Sequence, residues 1–131
     1  MRLLALAAAF MANFALAASC LPMRAGHNVE VTGTLEYRDF PGPPNYKSIA
    51  KGDRRETAIL LKLSEPVCVE GVGIGEIPFK AENVDLIQLA IPPKLQEGLR
   101  SRRKVTVRGE LYDKHTGHHR TEVLMSVAEV R

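Results

Sequence analysis

Three of the chain's four histidines fall in one short stretch, Asp113-Lys114-His115-Thr116-Gly117-His118-His119-Arg120. Imidazole ligates transition metals and moves protons near neutral pH. His118 and His119 are adjacent, so on an extended backbone they point to opposite sides and only one can join His115. No Cys, Asp or Glu at ligand spacing completes a metal set unless Asp113 bends in. His115 and His118 are the metal candidates. The competing reading is a polar turn, closed by Gly117 at positive φ, whose histidines hydrogen-bond a neighbouring loop.

A second unusual stretch runs from Asp39 to Asp53 and holds Phe40-Pro41-Gly42-Pro43-Pro44-Asn45-Tyr46. Loops this long are uncommon in small domains and are often either functional or disordered. Phe40, Tyr46 and Ile49 argue against a disordered linker, and the three prolines partly preset its shape. The plainer alternative is an Ω-like loop that packs over one end of the fold. Asp53 and Glu56, with a loop histidine, offer an acid–base pair. Ser48, Ser64, Ser101 and Ser126 lack a nucleophile-elbow motif. No catalytic signature is present and no cofactor is implied, so a non-enzymatic role is expected.

Other motifs carry less. Arg100, Arg102, Arg103, Lys104 and Arg108 form a basic run. Binding of single-stranded nucleic acid would need stacking platforms beside that charge. The chain has no Trp, and Tyr112 is the only aromatic near the run, so no nucleic-acid partner is expected. Gly71, Gly73 and Gly75 are followed by Pro78 and by no helix, which fits a flexible loop rather than a phosphate cradle.

The elements that must position these residues read as β. Residues 28–38 alternate strictly, with Val29, Val31, Gly33, Leu35 and Tyr37 on one face. Further strands are expected at 57–63, 84–91, 104–112 and 121–130, the last apolar on both faces and so central. Val29-x-Val31-x-Gly33-x-Leu35 matches Val105-x-Val107-x-Gly109-x-Leu111 position for position. Glycine inside a strand marks a bend or a close backbone approach, and two such strands suit a small curled barrel in which they pair. A short helix is expected over 92–99, begun by proline and ended by Gly98. Three strands, a short helix and two strands is the order of an OB-fold-like five-stranded barrel, all-β with one short helix; a β-sandwich is the alternative. In an OB barrel the 39–53 loop and the 113–120 turn lie where ligands bind.

The 131 residues allow one ordinary domain. Met1 and Arg2 precede an apolar run that ends in Ala15-Leu16-Ala17, which reads as a secretory signal peptide over residues 1–17, with the domain at 18–131. Arg2 is the only charge removed with it, so the formal net charge of +3 falls by one and argues for no polyanionic partner. The run is too short and Ala-rich for a good membrane span, so the protein is not expected to be transmembrane after cleavage. Cys20 and Cys68 are the only cysteines, and in a periplasmic or secreted protein an even count favours a disulfide. The alternative is a lipoprotein anchored at Cys20, because Ala17-Ala18-Ser19-Cys20 is a degenerate lipobox.

Gly109-x-Leu111 followed by Thr116-Gly117-His118-His119-x-Thr121-x-Val123-Leu124 resembles the C-terminal motif of the bacterial domain of unknown function 4431 family. Phe40 to Tyr46, Gly52-Asp53 and Pro66-Val67-Cys68-Val69 resemble the upstream pattern of related exported proteins. The chain departs from the family at Arg120 and Glu122, where a third histidine and a proline are usual. The resemblance implies no activity. The leading expectation is a periplasmic binding module for an envelope protein, peptide or glycan, with Asn45, Tyr46, His118 and Arg120 in contact. The alternatives are metal binding at His115 and His118, and an envelope hydrolase. On reduction, the intact mass of the exported protein should increase by two hydrogens; a diacylglycerol-sized excess would mark the lipid anchor instead.

Overall fold

A computed structural model describes residues 7–9 and 19–131. Apart from residues 7–9, the expected signal peptide lies outside the described residues. The described chain is β-rich: β1 (Leu21–Met23), β2 (Asn28–Pro41), β3 (Arg55–Val72), β4 (Pro78–Ala90), β5 (Lys104–Asp113) and β6 (Val123–Val130). They form one sheet in the order β1-β3-β2-β5-β6-β4, and a further β3–β4 pairing closes the five strands β2 to β6 into a ring with β1 outside it. All neighbours in the ring are antiparallel except β4 and β6, which run parallel. Among the described residues, no helix is long and apolar enough to cross a membrane.

The expected strands are all present, and several are longer than their alternation suggested. β3 continues to Val72 because register shifts between Lys62 and Val69 break the period of two. β1 has three residues, too few for a periodic signal, and it pairs in parallel with Val69 to Gly71. The helical turn or two expected over 92–99 are present as two 3-10 turns, Pro93–Leu95 and Leu99–Ser101. Gly98 adopts a left-handed φ of 69° between them, so it opens the second turn rather than closing one helix.

The repeated glycine pattern has a direct structural cause. β2 and β5 pair antiparallel, with Val29 opposite Gly109, Val31 opposite Val107 and Gly33 opposite Val105. Each glycine also meets a third strand at close range. A Cβ on Gly33 would lie 2.2 Å from the Lys62 carbonyl oxygen, and one on Gly109 would lie 2.0 Å from that of Ser126. The inward faces bury Val31, Leu35, Leu61, Ile87, Val105, Val107, Val123 and Met125 in one cluster. Burial of each such side chain contributes roughly 1.5–3 kcal/mol.

Cys20 and Cys68 are joined, tying β1 to the middle of β3 across 48 residues of sequence. Closing a loop of that length stabilises the fold by about 4 kcal/mol in the chain-entropy model. Gly33→Ala and Gly109→Ala are expected to destabilise the protein by about 2 kcal/mol or more each, because backbone atoms must move. Thermal denaturation should show falls of roughly 10 °C. A change within a degree would mean that the strands do not approach this closely.

Candidate functional site

The 39–53 loop is organised by one carboxylate. Asp53 is 7 % exposed and accepts hydrogen bonds from the backbone N–H groups of Asn45 (3.0 Å), Lys47 (2.8 Å) and Ser48 (2.9 Å). The Ser48 and Lys47 bonds hold its pKa below the usual carboxylate value, against the opposing effect of burial. The strand continuations enclose the same loop, with Gly42 N–H donating to the Arg54 carbonyl and Arg54 N–H to that of Pro43. Between these fixed points Tyr46 is held at φ 56°, an uncommon conformation for a residue with a Cβ. Asp53 is therefore a loop organiser. The expected acid–base partnership of Asp53 with Glu56 is not formed, because the Asp53 oxygens are occupied by main-chain donors.

The 113–120 turn is organised by a histidine. His119 Nδ1 accepts from the backbone N–H of His115 (3.1 Å) and of Thr116 (3.3 Å). Burial, then the neighbouring His115 and His118, lowers its pKa, which agrees with a neutral ring accepting at Nδ1. Its ring stacks edge-on against His115 (4.5 Å) and Tyr112 (5.6 Å). Gln88 on β4 clamps the turn from below. Its amide donates to the His118 carbonyl (3.2 Å), and its oxygen accepts from Arg120 N–H (2.5 Å). Gly117 is not among the glycines with positive φ. A Cβ there would lie 3.0 Å from the Tyr46 ring, so glycine is required for contact with the other loop rather than for closing the turn.

Both segments fold over the outside of the ring. Leu60, Gln88, Leu124 and Tyr112 are register partners in one row across β3, β4, β6 and β5. Leu60 and Leu124 are fully buried, although they lie outside the main core cluster. The loop and the turn meet above this row. Tyr46 Oη lies 3.3 Å from His118 Nε2, and the two rings are edge-on at 5.5 Å. His118 Nδ1 lies 2.7 Å from Glu56, whose other oxygen accepts from Arg120 at 2.7 Å. A carboxylate only accepts, so Nδ1 donates to Glu56 and a neutral His118 presents Nε2 to the Tyr46 hydroxyl. The Arg120 guanidinium also lies over the Phe40 and Tyr46 rings.

The four residues chosen from sequence thus divide. Tyr46 and His118 touch. Asn45 is exposed beside Tyr46. The Arg120 side chain is only 10 % exposed and supports the others from beneath. Glu56 joins His118 to Arg120; the sequence marked it only as half of an acid–base pair. His115 packs against His119 and not against His118, so the two metal candidates point to different neighbours. Among the described residues, no group of three His, Cys, Asp or Glu side chains is placed to hold a metal ion.

Loop order should follow the charge of Asp53. Its folded pKa is depressed, so its contribution is fully present above the unfolded value of about 4 and is lost as pH falls through the lower folded value. Amide exchange at Asn45, Lys47 and Ser48 should therefore accelerate in that acid window. In Asp53→Asn these amides should already be unprotected at neutral pH, with no further acid step.

No curated protein and no solved structure matches the chain. Its last segment, residues 86–131, matches the family model described as Domain of unknown function (DUF4431). That segment contains the end of β4, all of β5 and β6, the 113–120 turn and Gln88 beneath it. The similarity to the domain of unknown function 4431 family is thus confined to this C-terminal segment, less than half of the chain.

Proposed function

We propose that this protein is an exported, non-enzymatic binding module. It recognises an envelope protein, a peptide or a glycan through the 39–53 loop and the 113–120 turn. The observation that carries this reading is the contact of Tyr46 with His118, residues 72 apart in sequence. Two irregular segments organised by separate internal devices, Asp53 and His119, need not meet for the ring of strands to close. Their meeting concentrates an aromatic ring, an imidazole and an exposed amide at one place. Such polar and aromatic groups on a rigid support are what recognition surfaces use. Tyr46, His118 and Asn45 make contact, and Arg120 and Glu56 fix the imidazole.

The ring of five longer strands is read as an OB-like barrel. The parallel β4–β6 pair and the turns between β4 and β5 support that reading. The Cys20–Cys68 bond is compatible with an oxidising compartment, periplasmic or secreted, reached through the signal peptide at 1–17. An envelope hydrolase is the second reading. The Glu56–His118 contact favours it, since a carboxylate orients a histidine base in this way. The Tyr46 hydroxyl occupies the nitrogen that such a base would use.

His118→Ala and Tyr46→Ala should fold with melting temperatures within a few degrees of the parent and lose capture of the partner from envelope extract. Arg120→Ala should both destabilise and weaken capture, because it removes the covered side chain that packs on Phe40 and Tyr46 and holds Glu56. Parent-like capture by His118→Ala and Tyr46→Ala, or loss of their fold, would return the loops to a purely structural role.

A further inference from the structure

The ribbon formed by the ends of β2 and β3 has a second face. Tyr37 lies opposite Ile59, and Asp39 opposite Thr57, one residue out of phase with Phe40 and Glu56 of the site above. A groove of about 550 Å³ runs between this face and the 3-10 turns before β5, lined by Tyr37, Thr57, Ile59, Gln96, Arg100 and Ser101. The volume is within the range of small-molecule sites. None of the residues singled out in the loop or the turn lines it.

The polar groups in the groove are unevenly committed. Arg100 lies over the Tyr37 ring at 4.1 Å, which fixes the plane of its guanidinium. Among the described residues it makes no ion pair and no side-chain hydrogen bond. Asp39, at the end of the groove, is already neutralised. It accepts from Thr57 (2.6 Å) and from Arg55 (2.8 Å). Arg100 thus has no direct ion-pair partner, although after Thr57 and Arg55 it also helps hold the Asp39 carboxyl below its usual pKa. Around Arg100, the hydroxyl donors of Thr57 and Ser101 are spent, as is one of the two Gln96 N–H donors. Thr57 donates to Asp39, Ser101 Oγ donates to the Gly98 carbonyl, and the Gln96 amide donates to the Ile91 carbonyl. Each of these side chains still offers an acceptor oxygen.

One planar cation with free donors, ringed by acceptors above the apolar Ile59, complements a particular chemistry. We propose that this groove is a second binding site, for a small hydroxylated anion such as a sugar acid or sugar phosphate. Its carboxylate or phosphate takes the Arg100 fork, and its hydroxyls donate to Thr57, Ser101 and Gln96. Arg favours such planar bidentate recognition over simple charge attraction. Lys94, Arg102, Arg103 and Lys104 on the same segment also lack ion pairs among the described residues, so the segment is basic overall. The site stands independently of the recognition surface on the opposite face.

The test is a titration of nitrogen-15-labelled protein, followed by amide shifts, with glucuronate, glucose 6-phosphate and neutral glucose as probes. Saturable shifts at Thr57, Gln96, Arg100 and Ser101 with either charged sugar, and none with glucose, are expected; the tighter probe identifies the anion. Arg100→Gln should weaken that probe at least about tenfold, whereas Arg102→Gln, which removes the same charge outside the groove, should change it less than about twofold. Arg100→Lys keeps the charge and loses the fork; it should show a similar loss and replaces Arg100→Gln if that variant fails to fold. No saturation, equal losses from the Arg100 and Arg102 variants, or binding of glucose as tight as that of the acids would each overturn the assignment.

Discussion

The register between β2 and β3 governs both faces of this molecule. Phe40 stands opposite Glu56, Asp39 opposite Thr57, and Tyr37 opposite Ile59. Side chains alternate with a period of two, so this pairing sends Phe40 and Glu56 outward beneath the two loops and Tyr37, Thr57 and Ile59 to the groove. A slip of one residue would exchange the two sets. It would also carry Leu61 and Leu63 out of the core, at roughly 1.5–3 kcal/mol each. The core therefore enforces the register, and the register in turn places the polar groups. Gly33 reinforces it, because a side chain there would collide with the Lys62 backbone.

Two carboxylates three positions apart do different work on that ribbon. Asp53 faces chiefly main-chain donors, so its charge is spent on loop geometry. Glu56 faces Arg120 and His118 and links the ribbon to the turn. An exposed ion pair contributes little, typically below about 1 kcal/mol. Arg120 is different, because its side chain is nearly covered and stacks on Phe40 and Tyr46. Loss of Glu56 would leave that guanidinium covered and uncompensated, a larger penalty than the pair's own attraction. The covered pair thus fixes position, and the imidazole it holds stays exposed beside the Tyr46 hydroxyl.

Alternation made most of the ring legible from sequence. The strands at 28–38 and 104–112 were clear because one face is apolar and the other polar throughout. The Val-x-Val-x-Gly-x-Leu echo identified their pairing before any coordinates. The far half of β3 was not legible, because its register shifts scramble the period, and β1 is too short to have one. The meeting of Tyr46 and His118 was legible only through the assumed topology. The roles of Asp53 and His119 were not, since both act through main-chain donors whose positions exist only after the loops have folded. Gly117 illustrates the limit well. Its type signalled a constraint, but the constraint is the Tyr46 ring and not a backbone angle.

Arginine stands at position 120, where the resemblance led to the expectation of a third histidine. A histidine there could carry charge only at mildly acidic pH, and its two ring nitrogens could not reach Glu56 while covering two aromatic rings. Arginine is always charged, long enough to reach the carboxylate, and planar enough to lie against Phe40 and Tyr46. With Arg120 in place, one Glu56 oxygen is held by a nearly covered guanidinium and the other orients the exposed imidazole at 118.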